Sequence, residues 1–173
     1  MKKNIQIVML GDSITGRGDW KKLLENEYLI NLGVDGDTTS GILNRVHIVV
    51  DLEPEFVFLM AGINDLCMSI PLEDIFSNYK KILEILKEKN INLTVQATLI
   101  TQMPSVNKKV ESFNKLLAEY CEKEEIKFID LNSFFSNEDN LLKEDLTTDG
   151  LHLGQKAYKV WAYKLKQLEN YGF

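Results

Sequence analysis

Two cysteines, two histidines and no surplus of positive charge leave several functions without residues to carry them. Cys67 and Cys121 stand in no metal-ligand spacing and are too few for a disulfide framework, so both read as reduced and buried. The formal net charge is −6, with 20 Lys and Arg against 26 Asp and Glu, which leaves no broad basic surface to displace counterions from nucleic acid. Long apolar runs are missing too. Met1-Lys2-Lys3 has the look of a signal n-region, but the apolar stretch behind it covers only Ile5 to Leu10 and meets Gly11-Asp12-Ser13 without a small-residue cleavage site. The expectation is a cytoplasmic protein with no stable membrane anchor. No internal repeat, low-complexity tract or Pro/Gly-rich linker divides the 173 residues, so one domain over 1–173 is expected.

What the chain does contain is ordinary for a globular enzyme: 45% apolar and 27% charged residues. Short apolar runs bounded by Gly, Asp or Asn occur at Ile5 to Leu10, Tyr28 to Leu32, Phe56 to Met60, Leu93 to Leu99 and Lys127 to Leu131. They read as buried parallel strands. Between them lie helical stripes: Ile75, Tyr79, Ile82, Leu83 and Leu86 within Leu72 to Lys89, with Pro71 at the start, then Val110, Phe113, Leu116, Leu117 and Tyr120 within Asn107 to Lys123. A last stripe carries Ala157, Val160, Trp161, Lys164, Leu165 and Leu168. Strands alternating with helices predict a three-layer α/β/α sandwich, flavodoxin-like, with a mostly parallel sheet of five strands. The longest irregular stretch expected is Asn132 to Leu153.

In such a sheet, ligands gather beyond the carboxyl ends of the strands, so the loops there are read together. The first is Gly11-Asp12-Ser13-Ile14-Thr15, the second Gly33-Val34-Asp35-Gly36-Asp37-Thr38-Thr39, the third Ala61-Gly62-Ile63-Asn64-Asp65. The fourth piece, Asp149-Gly150-Leu151-His152, precedes the final helix. A serine hydroxyl becomes a competent nucleophile when an imidazole takes its proton and a carboxylate fixes the imidazole tautomer. Ser13, His152 and Asp149 can fill those roles. An acyl-transfer site also needs donors aimed at the oxyanion, for which Ser13 N–H, Gly36 N–H and Asn64 Nδ2 are the candidates. Asp12, Asp37 and Asp65 are better read as carboxylates that bind free backbone N–H groups.

These blocks, GDSIT, GVDGDTT, GIND and DGLH in that order from Gly11 to His152, resemble those of the SGNH hydrolases, also called GDSL-type esterases or lipases. The resemblance implies Ser13 as nucleophile and oxyanion donor, Gly36 and Asn64 as further donors, His152 as base and then acid, and Asp149 as its orienting carboxylate. It favours Gly36 over Gly33 because the family's glycine usually precedes an Asp-Thr or Ser-Thr pair that opens a helix. The chain departs from the pattern with Ile14 in place of the usual leucine and Gly154-Gln155 in place of a Ser/Thr-Pro pair.

Several residues have plainer readings. His47, the other histidine and the alternative base, sits in the stretch Ile42 to Leu52 among Leu43, Val46, Val49 and Val50, which reads as helix packing on the sheet and favours a structural role. Trp20, Met68, Phe134 and Phe135 suit an acyl pocket or the core equally well.

The function expected is hydrolysis of a carboxylic ester through an acyl-serine, with no metal or organic cofactor required. The partner would be a small-molecule ester such as an acetylated carbohydrate, and a homo-oligomer is allowed. Lysophospholipase, thioesterase or O-acyltransferase activity would use the same triad. A competitor of another class is a non-catalytic flavodoxin-like module that holds phosphate at helix N-termini, which leaves Asp149 and His152 unused.

Overall fold

The computed structural model describes residues 5–168, so the Met1-Lys2-Lys3 segment lies outside the described residues. Five strands form the sheet: β1 (Ile7–Gly11), β2 (Leu29–Gly33), β3 (Phe56–Met60), β4 (Asn92–Gln96) and β5 (Lys127–Ile129). Their order is β2-β1-β3-β4-β5 and every pairing is parallel. The central strand β1 is buried along its whole length, which explains its unbroken apolar run.

Four longer helices cover the sheet: α3 (Thr39–Leu52), α5 (Leu72–Glu88), α6 (Pro104–Lys123) and α8 (Gln155–Lys166). Short turns of helix, α1 (Ser13–Gly16), α2 (Trp20–Leu23), α4 (Ile63–Cys67) and α7 (Asn132–Phe135), sit at the loop ends. The connection from β1 to β2 steps one way along the sheet and the later connections step the other way. Right-handed crossovers therefore put α1 and α2 on one face and α3, α5 and α6 on the opposite face. Contacts agree, since α3 packs on α5 and α5 on α6, while α2 packs on α8. Under α2 and α8, Trp20 meets Trp161 edge to face at 4.7 Å. The predicted stripes on α5, α6 and α8 are largely buried, with Leu116, Tyr120, Val160 and Leu168 only half-buried. No helix among the described residues is long and apolar enough to cross a membrane.

Three expectations need correction. The fourth strand stops at Gln96 although Ala97 to Thr101 are all buried. Side-chain amides take over from the ladder there: Asn114 binds both N–H and C=O of Thr98, Asn107 binds both of Thr101, and Asn132 accepts from Ile100 N. Asn107 and Asn114 stand two turns apart on the same face of α6, so one helix serves both peptides. Cys67 is exposed at the end of α4, and only Cys121 is buried. The stretch from Asn132 to Leu153 is more ordered than a plain loop: it holds α7, a 3₁₀ turn at Glu144–Leu146, and antiparallel bridges Ser136 to Leu142 and Thr147 to Leu153.

Candidate active site

In the sheet register Gly11 lies opposite Gly33 on one side and Met60 on the other, so β2, β1 and β3 end level. The loops that leave them carry Gly36, Ser13 and Asn64 respectively. Ser13 opens α1, and Asp12 before it caps that turn by accepting from Ile14 N at 2.9 Å. A helix leaves its first N–H groups without internal partners, so the Ser13 amide is available to a ligand.

The other half of the site comes from the loop before α8. Asp149 Oδ1 accepts from Leu151 N at 3.0 Å and His152 N at 2.7 Å, folding the loop back on itself. Its second oxygen, Oδ2, lies 2.7 Å from His152 Nδ1. That contact places the imidazole proton on Nδ1, which leaves Nε2 to accept the Ser13 hydroxyl proton across 3.1 Å. The two bonds from His152 hold the Asp149 carboxyl down at about 2, so it is ionised over the working pH range. Ser13 is buried and His152 half-buried, while Asp149 reaches solvent.

Gly36 is reached through a turn in which Asp37 N donates to Val34 O at 3.2 Å, with Gly36 at φ +75. A left-handed residue at that place favours glycine, and no atom would crowd a Cβ there. Gly33 is different. Its N–H is spent on Asn31 Oδ1 at 2.9 Å, and a Cβ would fall 2.1 Å from Gly16 N. Asn64 Nδ2 donates one hydrogen to Asp37 O at 2.8 Å, which fixes the amide beside the Gly36 turn and leaves its second hydrogen free to point elsewhere.

The neighbouring carboxylates serve the scaffold. Asp65 is buried and accepts from Thr39 N and, at 2.6 Å, from Thr39 Oγ1, thereby capping α3. Burial raises its carboxyl, and the Thr39 bonds oppose that rise. Asp37 accepts from Thr38 N at 3.1 Å and pairs with Arg45 Nε at 2.7 Å. Asp12, 1% exposed, is pushed up to about 7, chiefly by burial, with the Ile14 bond pulling against it.

Several supporting contacts lie beyond the sequence reading, including one from Trp20, which that reading leaves open between an acyl pocket and the core. Asn31 Nδ2 reaches the carbonyls of Gly16 and Gly18 at 2.9 and 3.0 Å. Trp20 Nε1 donates to Thr15 O and Tyr158 Oη to Ile14 O, each at 2.7 Å. Thr147 donates to His152 O at 2.7 Å and accepts from Gly150 N at 2.9 Å, clamping the histidine loop. A signal existed for Asn31: a polar side chain inside the run YLINL must find partners. The stretch around His47 is the expected helix, α3, with Val46 and Val49 buried, and His47 itself takes an exposed position on it. Trp20 and Phe135 belong to the core, whereas Met68 and Phe134 are exposed.

Residues 9–160 match the family model described as the GDSL-like Lipase/Acylhydrolase family. The N-acylneuraminate cytidylyltransferase of Streptococcus agalactiae serotype III is 33% identical over 153 residues, 87% of this chain but 35% of that protein. The chain thus spans about a third of that relative's length. The isoamyl acetate-hydrolyzing esterase of Saccharomyces cerevisiae is 25% identical over 164 residues, covering 80% of this chain and 69% of the esterase. A GDSL-like lipase from Bacteroides thetaiotaomicron has the same fold, with a TM-score of 0.85 at 23% identity over 96% of this chain and 88% of that one.

Proposed function

We propose that this chain, which belongs to the GDSL-like lipase/acylhydrolase family, is a serine ester hydrolase that removes short acyl groups from carbohydrates or related small alcohols. The observation that carries the reading is the relay from Asp149 through His152 to Ser13, at 2.7 and 3.1 Å.

Each step uses a group already in place. Ser13 Oγ attacks the ester carbonyl as its proton passes to His152 Nε2, and Asp149 stabilises the imidazolium that forms. The carbonyl oxygen gains a negative charge, which Ser13 N–H, Gly36 N–H and the second Nδ2 hydrogen of Asn64 receive. Collapse of this intermediate breaks the bond to the alcohol, which takes the proton from His152. Water then gives its proton to the same imidazole, attacks the acyl-serine and releases the acid and free Ser13. Oxyanion donors fixed by Asp37 O and by the Gly36 turn need no rearrangement as charge develops.

The acyl and alcohol parts are drawn from chemistry and kinship together. One relative is named for hydrolysis of an acetate ester and another for acting on N-acylneuraminate, a sugar acid. An O-acetylated sugar is therefore the first substrate class to test. Acyl transfer to a sugar hydroxyl would use the same residues and differ only in whether that hydroxyl outcompetes water. A reducing cytoplasm suits a chain whose two cysteines are both free.

Turnover of p-nitrophenyl acetate by the wild type and by Ser13→Ala tests the reading, with circular dichroism to confirm folding. A loss of about 10³-fold or more is expected on removing the nucleophile. Equal rates in the two proteins would refute it.

A further inference from the structure

Beside the nucleophile turn, a cavity of about 390 Å³ opens between the α1–α2 segment and the first turns of α8. Arg17, Lys22 and Lys159 bring three cations to it, Asp19 one carboxylate, and Leu23 and Tyr158 apolar wall. With Asp35 paired to Arg17 and Asp19 in the lining, one positive charge is in excess there, on a molecule whose formal net charge is −6. Lys22 taken alone is explained by the last turn of α2, where a cation complements the helix dipole. Arg17 is held by its ion pair with Asp35, whereas Lys159 has no such explanation and converges on the same hollow from another element. Among the described residues, neither Lys22 nor Lys159 has a carboxylate within ion-pair distance.

The cavity is tied to the reaction centre through Arg17. Its backbone N–H donates to Ser13 O at 3.0 Å, so its Cα lies one helical turn, about 6 Å along the axis, from the nucleophile. Its guanidinium donates to Asp35 Oδ2 at 2.8 Å, in the loop that carries Gly36, and four of its five N–H donors are not used in that bond. Gln155, another lining residue, stands three places after His152. Arg17 and Gln155 thus place this hollow about one turn of chain from both Ser13 and His152.

We propose that this cavity is a subsite for an anionic group, carboxylate or phosphate, on the alcohol portion of the ester; the inference rests on Ser13 as the acyl acceptor. Arg17 presents a planar fork that suits either oxyanion, and the two lysines add mobile point charges. The subsite acts on capture of substrate and is remote from the developing oxyanion, so it belongs in KM and leaves kcat alone.

The test uses the double variant Lys22→Ala/Lys159→Ala, at two exposed positions outside the catalytic machinery. KM and kcat are measured for O-acetylglucose, O-acetylated N-acetylneuraminate, acetyl glycerol phosphate and p-nitrophenyl acetate. The expected result is a KM raised about tenfold for one or both anionic esters, with kcat and both neutral esters unchanged. Which anionic ester responds identifies carboxylate or phosphate as the group held. Unchanged KM for both anionic esters, or an equal shift for the neutral ones, would overturn the proposal. If the wild type turns over none of the four esters, the hydrolase reading fails separately. The cavity is then judged by calorimetry with inorganic phosphate and N-acetylneuraminate: binding that the double variant loses supports it, and absence of binding overturns it.

Discussion

Tyr158, one turn into α8, donates its hydroxyl to the carbonyl of Ile14, the residue after Ser13, across 2.7 Å and 144 positions of chain. Burial pushes the phenol above the ordinary tyrosine range, so it stays a donor at working pH. Because α8 begins just after His152, this bond links the helix that follows His152 to the turn that carries Ser13.

Tyr158→Phe should therefore lower kcat for p-nitrophenyl acetate while leaving KM nearly unchanged, and cost about 1–3 kcal/mol of stability through the unpaired Ile14 carbonyl. Steady-state kinetics and denaturant titration check both. A variant that loses stability with unaltered kcat would show that the bond only holds the fold.

Asn64→Ala removes the proposed oxyanion donor and also releases Asp37 O. A fall in kcat of about 10²–10³ is expected, the scale found when a single side-chain donor of this kind is deleted. Near-wild-type kcat would exclude Asn64 from transition-state stabilisation.

Asp149→Asn keeps the shape of the carboxylate but lets Nδ1 of His152 lose its proton to Nε2, the wrong tautomer for accepting from Ser13. The loss in kcat should approach about 10⁴. Asp149, held down at about 2 by its bonds to His152, stays ionised until strongly acid pH, so its own protonation causes no loss of rate near neutral pH. Any stability that Asp149 gains from this depression is present above its ordinary range and lost only as pH falls towards about 2.

Asp12 behaves in the opposite sense. Its carboxyl rises from 3.8 to about 7 on folding, so between those values the native protein holds a proton that the unfolded chain has released. Stability contributed by this group falls as pH rises through that window. Asn in its place cannot ionise and still accepts from Ile14 N. Thermal melts should show Asp12→Asn more stable than wild type at about pH 8, with the difference vanishing near pH 4. A constant difference across that range would refute the assignment.

Much of this was legible from sequence because each strand is a short apolar run that ends in a polar loop, and because Asp149 and His152 are close neighbours in the chain. Where the sequence reading failed, side chains had replaced backbone partners. Ala97 to Leu99 read as the end of a strand because the apolar run continues through them, yet Asn114 satisfies both N–H and C=O of Thr98 from helix α6. The supports of the nucleophile turn, Asn31, Trp20 and Tyr158, act on backbone carbonyls, and a carbonyl has no letter of its own in a sequence. Cys67 was misplaced for a simpler reason: a cysteine count says nothing of which way the residue faces on its helix.

The contact between Ser13 and His152 spans 139 positions, and an all-parallel sheet offers no hairpin to shorten the search. Closing so long a loop costs entropy before any pairing repays it, and folds rich in such contacts form slowly. Far-ultraviolet ellipticity will therefore recover ahead of hydrolysis when the unfolded chain is diluted from denaturant. The lag between the two signals measures how late Ser13 meets His152.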